Sequence, residues 1–375
     1  MATVKLGDIA IEAKSSNKGD KTGIRIVGLE HLTPSNVTLS SWNEDTENTF
    51  TKEFSKGDVL FGRRRAYLKK AAVAPFDGIC SGDITVIRAI EDKVDPDLLP
   101  FIIQNDFLFD FAVGKSAGSL SPRVKWTHLK EFAIELPLMP EQSKLAETLW
   151  SINETKNAYE DLINKTDELV KSQFIEMFEN VESYCKLEDL VSDTFPGEWG
   201  SEPISENAIK VIRTTNFTNE GYLDLTDVVT RDIEPKKVVR KKLKQGDTIL
   251  ERSGGTKDNP VGRVVFFDEI GDYLPNNFTQ VLRPKESVNP VYLFYALYNS
   301  YNLNKAAMRA MASQTTGIQN LSMSDFMAKF IVLPSRNEQN KFEQIYRQAD
   351  KSKSVIQKAL VYLNDIQSDE LGKIA

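Results

Sequence analysis

Two stretches rich in guanidinium and ammonium groups stand at matching places in this sequence. GRRRAYLKK, Gly62–Lys70, carries Arg63, Arg64, Arg65, Lys69 and Lys70. ERSGGTK, Glu251–Lys257, carries Arg252, Ser253 and Lys257, and VVRKKLK just before it adds Lys241, Lys242 and Lys244. A second polar stretch follows each: SPRVKW, Ser121–Trp126, with Arg123 and Lys125, and SQTTGIQN, Ser313–Asn320, with Gln314, Thr315, Gln319 and Asn320. Arginine offers a planar fork of donors that fits phosphate and the O6/N7 edge of guanine, whereas Asn and Gln pair a donor with an acceptor, as adenine requires. One such cluster is more often a solvated charged face. Recurrence at matching positions favours contact with double-stranded DNA.

Bond-making chemistry has little to work with. The two histidines, His31 and His128, lie in the first half without an equivalent histidine in the second, where Asn216 and Ser324 or Asp325 fall nearby. Cys80 and Cys185 give neither metal-ligand spacing nor a disulfide framework, and each is expected to be a buried thiol. SGGTKDNP, Ser253–Pro260, resembles a phosphate loop at first sight, but lacks the Gly-x-x-x-x-Gly-Lys-Ser/Thr spacing and opens no helix. DNPVG, inside and just after it, lacks the second proline and the aromatic of the amino-methyltransferase motif. No catalytic residue and no metal site is therefore expected, so the chain is read as non-catalytic.

What must position the loops is a duplicated scaffold. KLGDI at Lys5–Ile9 answers KLEDL at Lys186–Leu190, and RIVGLEHL at Arg25–Leu32 answers KVIRTTNF at Lys210–Phe217. FSKGDVLFGR at Phe54–Arg63 answers LKQGDTILER at Leu243–Arg252, and DPDLLPFIIQN at Asp95–Asn105 answers NPVYLFYALYN at Asn289–Asn299. Last, IELPLMPEQ at Ile134–Gln142 answers IVLPSRNEQ at Ile331–Gln339. Five blocks in one order, with slowly widening spacing, are an internal repeat with loop insertions.

After each Glu-Gln a long helix is predicted. Apolar residues recur at Leu145, Leu149, Ile152, Tyr159, Ile163, Val170 and Met177, and at Phe342, Tyr346, Ala349, Ile356, Leu360 and Leu363, in steps of three and four, or seven where a register is skipped. Both seams are interrupted by a lysine, Lys156 and Lys353, which either fixes register or lifts its charge out to water. Helices of this length reach about 50 to 60 Å. Paired antiparallel, they would give a dumbbell with pseudo-twofold symmetry. The globular parts mix short strands (DVLFG, TVIRAI, DTILER, GRVVFFD, FTQVLRP) with a short helix over LLPFIIQNDFLFDFAV. The expected class is α+β, in four parts: 1–137, 138–182, 183–334 and 335–375.

Composition agrees with a soluble intracellular protein. No apolar run is long enough for a membrane span, and MATVKLGDIA has no signal-peptide pattern. The net charge of −7 counts against a nucleic-acid partner only on average. Glu141–Asn180 holds nine acidic residues against four lysines, whereas Lys236–Arg263 holds nine basic against three acidic.

Two diverged globular parts, each closed by Leu-Pro-x-x-x-Glu-Gln and a long helix, resemble the specificity subunit of type I restriction–modification enzymes over essentially the whole chain. The resemblance implies two target-recognition domains, each reading half of a split DNA site, with the helices as spacer and docking surface for methyltransferase subunits. Those partners would bind S-adenosylmethionine and methylate adenine, and ATP- and Mg-dependent restriction subunits would join them; this chain itself would carry no cofactor. One departure is that the chain ends five residues past Glu370, so the second helix is expected to finish it. Two rivals stand beside this reading: an enzyme of an unrecognised type, and a coiled-coil adaptor that never touches DNA.

Overall fold

The repeated blocks fold into repeated hydrogen-bonded devices in the computed structural model, which describes residues 2–44, 47–204, 208–315 and 317–374, with Gln314 and Thr315 described by their backbone alone. The Gly-Asp block is a β-turn. Asp58 N–H donates to Ser55 O at 3.0 Å, and the Asp58 carboxylate takes Ser55 N–H at 2.7 Å. Asp247 and Lys244 repeat both bonds at 3.0 and 2.8 Å. The third residue of each turn is glycine because φ is +89° at Gly57 and +92° at Gly246, which a side chain tolerates poorly. Both aspartates are buried and each receives an arginine fork, Arg88 on Asp58 and Arg283 on Asp247, with Nε–O distances of 2.7 and 2.8 Å.

The Leu-Pro-x-x-x-Glu-Gln block is a joint. Gln142 is buried; its amide donates to Pro137 O at 2.9 Å and accepts from Asp95 N–H at 2.9 Å. Gln339 does the same with Pro334 O and Asn289 N–H, both at 2.8 Å. The preceding glutamates cap the helix start, Glu141 accepting from Leu138 N–H and Glu338 from Ser335 N–H. The Ser335 hydroxyl and N–H hold the Glu338 carboxyl below the usual range. Pro140 falls in the first turn of its helix, where a missing N–H costs nothing.

The helices span Met139–Phe178 and Arg336–Gly372. The chain forms two compact units, Met1–Leu162 with Val355–Ala375, and Ile163–Ser354. The unit boundaries fall inside the long helices, because each half-helix packs on its own globular part. In the first unit, Lys156 Nζ donates to Gln367 Oε1 at 2.8 Å, and Leu149 shares a core with Leu371 and Ile374. In the second, Lys353 pairs with Asp167 and donates to the Tyr222 hydroxyl at 2.6 Å, while Phe174 and Phe178 lie against Phe342 at ring separations of 5.1 and 5.9 Å. The order of these contacts makes the helix segments antiparallel within the second unit. Both seam lysines therefore make specific polar contacts, and Lys353 is buried rather than extended into water.

The first unit has an antiparallel sheet in the order Ala10–Glu12, Ile84–Ala89, Val59–Gly62, Ala71–Val73. Its counterpart runs Val191–Pro196, Thr279–Pro284, Asp247–Glu251, Val264–Phe267. A second sheet in each unit has one parallel pair, Arg25–Val27 with Gly78–Cys80 and Ile209–Ile212 with Tyr273–Pro275. The class is α+β with an internal repeat. One expectation is corrected: LLPFIIQNDFLFDFAV is two helices, Leu99–Ile103 and Asp106–Gly114. Asn105 breaks the run because its side chain accepts Phe107 N–H and caps the second helix.

Candidate nucleic-acid interface

The two polar stretches of each half, far apart in sequence, meet in the structure. In the first unit the strand Val59–Gly62 runs into the loop Arg63–Lys70, whose residues Arg65 and Lys69 hold left-handed backbone at φ 54° and 49°. Arg64 bridges Arg123 as in an antiparallel ladder. Arg65 N–H donates to Pro122 O at 2.8 Å and Val124 N–H to Arg63 O at 3.0 Å. In the second unit Ser253–Gly254 pairs with Ile318–Leu321, which pairs with Ala312–Thr315. Ser253, at the place of Arg64, thus faces Asn320, at the place of Arg123, and its hydroxyl donates to Asn320 Oδ1 at 2.8 Å.

The side chains differ in how far they are committed. Arg65, Lys125, Lys244 and Lys257 are exposed, with no ion pair among the described residues. Arg64 donates to Ser121 Oγ from Nε and Nη2, and Arg123 forms a two-pronged pair with Asp83. Lys69 pairs with Asp106 at 2.6 Å. Lys70 donates to Leu29 O at 2.8 Å, and the half-buried Arg63 keeps a buried Nε without a partner. Lys241 pairs with Glu198 at 2.5 Å and Lys242 with Asp272. Those two partners lie outside the 251–257 and 318–321 cluster, so the structure does not join the VVRKKLK lysines to it. Arg252 is half-buried, its N–H donating to Phe278 O. Gln319 accepts Val261 N–H at 3.3 Å. The side chains of Gln314 and Thr315 lie outside the described residues.

The sequence reading missed Asp83 and Phe278. Arg63 N–H donates to Asp83 O at 3.0 Å, and Arg252 N–H to Phe278 O at 2.9 Å, so these two residues occupy one structural position between the loops. The hydrogen bond from Arg123 holds the Asp83 carboxyl below the usual carboxylate range. Exposed Tyr67 and Leu68 add apolar surface to the first loop. The only sequence signal for Asp83 and Phe278 was their common place just before two aligned strands.

The remaining reactive groups have structural work. His31 is buried and its Nδ1 accepts Gly28 N–H; Asn216 Oδ1 accepts Arg213 N–H in the same role, so the two are equivalents after all. His128 is exposed, its Nδ1 3.3 Å from Lys115 O. Cys80 is buried as expected, which pushes its thiol up to about 12, whereas Cys185, on the short edge strand Tyr184–Lys186, is only half-buried. Among the described residues, no helix is long and apolar enough to cross a membrane.

The two repeated units, each with its paired-loop cluster, correspond to two matches to one family. Residues 1–167 and 194–360 both match the family described as type I restriction modification DNA specificity domain, and the chain belongs to it. It is similar to the specificity subunit of the type I restriction enzyme EcoDI of Escherichia coli, at 29% identity over 146 residues. That alignment covers 36% of this chain and 31% of the E. coli protein. Among solved structures, it is similar to the S subunit of a type I restriction-modification system from M. genitalium, at 14% identity and a TM-score of 0.62, covering 99% of this chain and 95% of that one. A chain from a structure described as the basis of complex assembly and conformational transition of the type I R-M system gives 19% identity and a TM-score of 0.55, covering 99% and 96%. At these identities the two structures speak for the fold.

Proposed function

We propose that this chain is the non-catalytic, sequence-reading subunit of a type I restriction–modification assembly, recognising a two-part DNA site with one loop cluster per unit. The observation that carries the reading is the recurrence of one paired-loop arrangement on one scaffold with different side chains, Arg64 and Arg123 against Ser253 and Asn320. A shared scaffold keeps the readers in place, and different loops let them read different bases. Arg65, Lys125, Lys244 and Lys257 are the free cations suited to phosphate, and Arg63, Arg64, Lys69, Lys70, Arg123, Lys241, Lys242, Arg252, Ser253, Gln314, Thr315, Gln319 and Asn320 are the further candidates for contact.

In this proposal residues 1–137 and 183–334 are the readers and the helical parts 138–182 and 335–375 dock two methyltransferase subunits, with restriction subunits joining. Exposed apolar residues on the helices support that docking: Val355, Val361 and Tyr362 in the first unit, Leu169 and Ile175 in the second. S-adenosylmethionine, ATP and Mg belong to the partners. The test is sequencing of methylated adenines in a host with and without this gene. A split motif that disappears with the gene is the expected result, and an unchanged methylation pattern would defeat the proposal. Sequence-specific binding at moderate salt excludes the adaptor reading.

A further inference from the structure

The position shared by Asp83 and Phe278 is where the two loop clusters differ most in chemistry. In the first unit the Asp83 carboxylate takes Arg123 Nε at 2.7 Å and Nη2 at 3.2 Å, and Arg64 Nη1 at 3.5 Å. Arg64 and Arg123 belong to different loops, so one carboxylate ties both loops through their side chains. Asp83 is itself held from below, its own N–H donating to Ser81 Oγ at 3.2 Å. Arginine has five N–H donors in a rigid fork. Asp83 takes Arg123 on its Nε side, which leaves both Nη1 hydrogens and one on Nη2 free. That free end is the one able to pair with two acceptors on a base edge.

The carboxylate also acts on affinity. An anion beside two guanidiniums competes with phosphate for the same donors and cancels one positive charge where the backbone would approach. In the second unit the same position holds an exposed phenylalanine, Phe278, and the paired loops meet through Ser253 and Asn320 rather than through two arginines. We infer that Asp83 is a positioning residue of the first reader: it fixes Arg123 and Arg64 for base contact and suppresses their indiscriminate attraction to phosphate. This inference rests on the DNA-reading proposal above.

The expected behaviour of Asp83→Asn is therefore a gain and a loss together. The test uses the full chain, purified with the subunits it assembles with, on two probes: a mixed-sequence duplex of about 30 base pairs and a library of randomised duplexes. In Asp83→Asn, affinity for the mixed-sequence duplex rises about three- to tenfold at low salt, and the salt slope steepens by about one unit. Bases selected from the library become less defined in one half-site only. Asp83→Glu keeps the charge and stays near the parent on both probes. A merely structural role would lower the melting temperature and weaken binding to every duplex, with no gain on mixed sequence. That outcome, or an Asp83→Asn chain with unchanged affinity and both half-sites intact, overturns the inference. A parent chain that selects no sequence from the library defeats the DNA-reading proposal itself, and the inference falls with it.

Discussion

In the first unit a carboxylate joins two guanidiniums across the paired loops; in the second, a hydroxyl–amide contact joins the loops, and an exposed phenylalanine, Phe278, stands at the carboxylate's position. Away from the loops several devices agree almost bond for bond, although the sheet around Arg25–Val27 has four strands and that around Ile209–Ile212 three. The Gly-Asp turn with its arginine, the glutamine joint and the buried 3₁₀ cap of His31 or Asn216 recur with hydrogen-bond lengths that agree to about a tenth of an ångström or better. Scaffold positions have their side chains dictated by buried main-chain groups, which permit few substitutes. Loop positions answer to whatever they touch, and that can differ from copy to copy.

The largest expected effect comes from exchanging a whole reader. Replacing residues 1–137 with those of another family member should change one half of the methylated motif completely and leave the other untouched. Methylome sequencing of the host checks this, and simultaneous change of both halves would show that the units do not read independently.

Next is the scaffold itself, where burial makes the copies unequal. The Arg283 side chain is 16% exposed and that of Arg88 is 43% exposed. Asp247→Ala takes the main partner from a mostly buried guanidinium, which keeps its hydrogen bond to Lys242 O, and should cost about 3 kcal/mol, while Asp58→Ala should cost less because water reaches Arg88. Denaturant unfolding of the two variants measures the difference, and equal losses would mean that burial does not set it.

The seam lysines should separate by a smaller margin. Lys353 is buried against Asp167 and Tyr222, so Lys353→Met should cost about 1 to 3 kcal/mol by removing the partner of the Asp167 carboxylate and one bond of the Tyr222 hydroxyl, which keeps Tyr346. Burial lowers the pKa of Lys156, so its charge is held against a desolvation cost in the folded state. Lys156→Met should be close to neutral. The sign for Lys156 gives a second check. A lysine with a depressed folded pKa makes the unfolded state bind more protons, so stability contributed there rises with pH from that lowered value toward 10.5. Lys156→Met should lose this alkaline rise.

The smallest effect is expected from the free cations. Arg65→Ala and Lys257→Ala should each reduce the salt slope of DNA binding by about one unit while leaving base preference alone. Fluorescence anisotropy across a salt series measures it; an unchanged slope in both would make these residues solvated surface.

Much of this scaffold was legible in the sequence because its devices need particular residue types. A positive φ asks for Gly57 and Gly246, and a helix start under a proline asks for Glu-Gln. The helical period showed most of the packed face but passed over Phe174 and Phe178, whose rings lie at the heart of the second core. A seam read in strict steps drifts against the real turn of the helix, so residues one step away were left out. In the candidate site, repetition marked both stretches, but neither their meeting nor the state of each cation was legible. Lys70 and Lys241 look as free as Lys257 in sequence, yet one holds a carbonyl and the other a carboxylate. Asp83 was overlooked because an acid is not what a search for phosphate ligands seeks.

The glutamine joint has a consequence for how such proteins change over generations. Gln142 and Gln339 grip only main-chain atoms, the carbonyl of a proline and the N–H of Asp95 or Asn289. Every residue but proline supplies that N–H, whatever its side chain. A foreign reader joined at this seam therefore meets the same glutamine grip, and what it must still match in the receiving helix is the side-chain bonding of Asp95 to Ser143 or of Asn289 to Asn340 and Glu343.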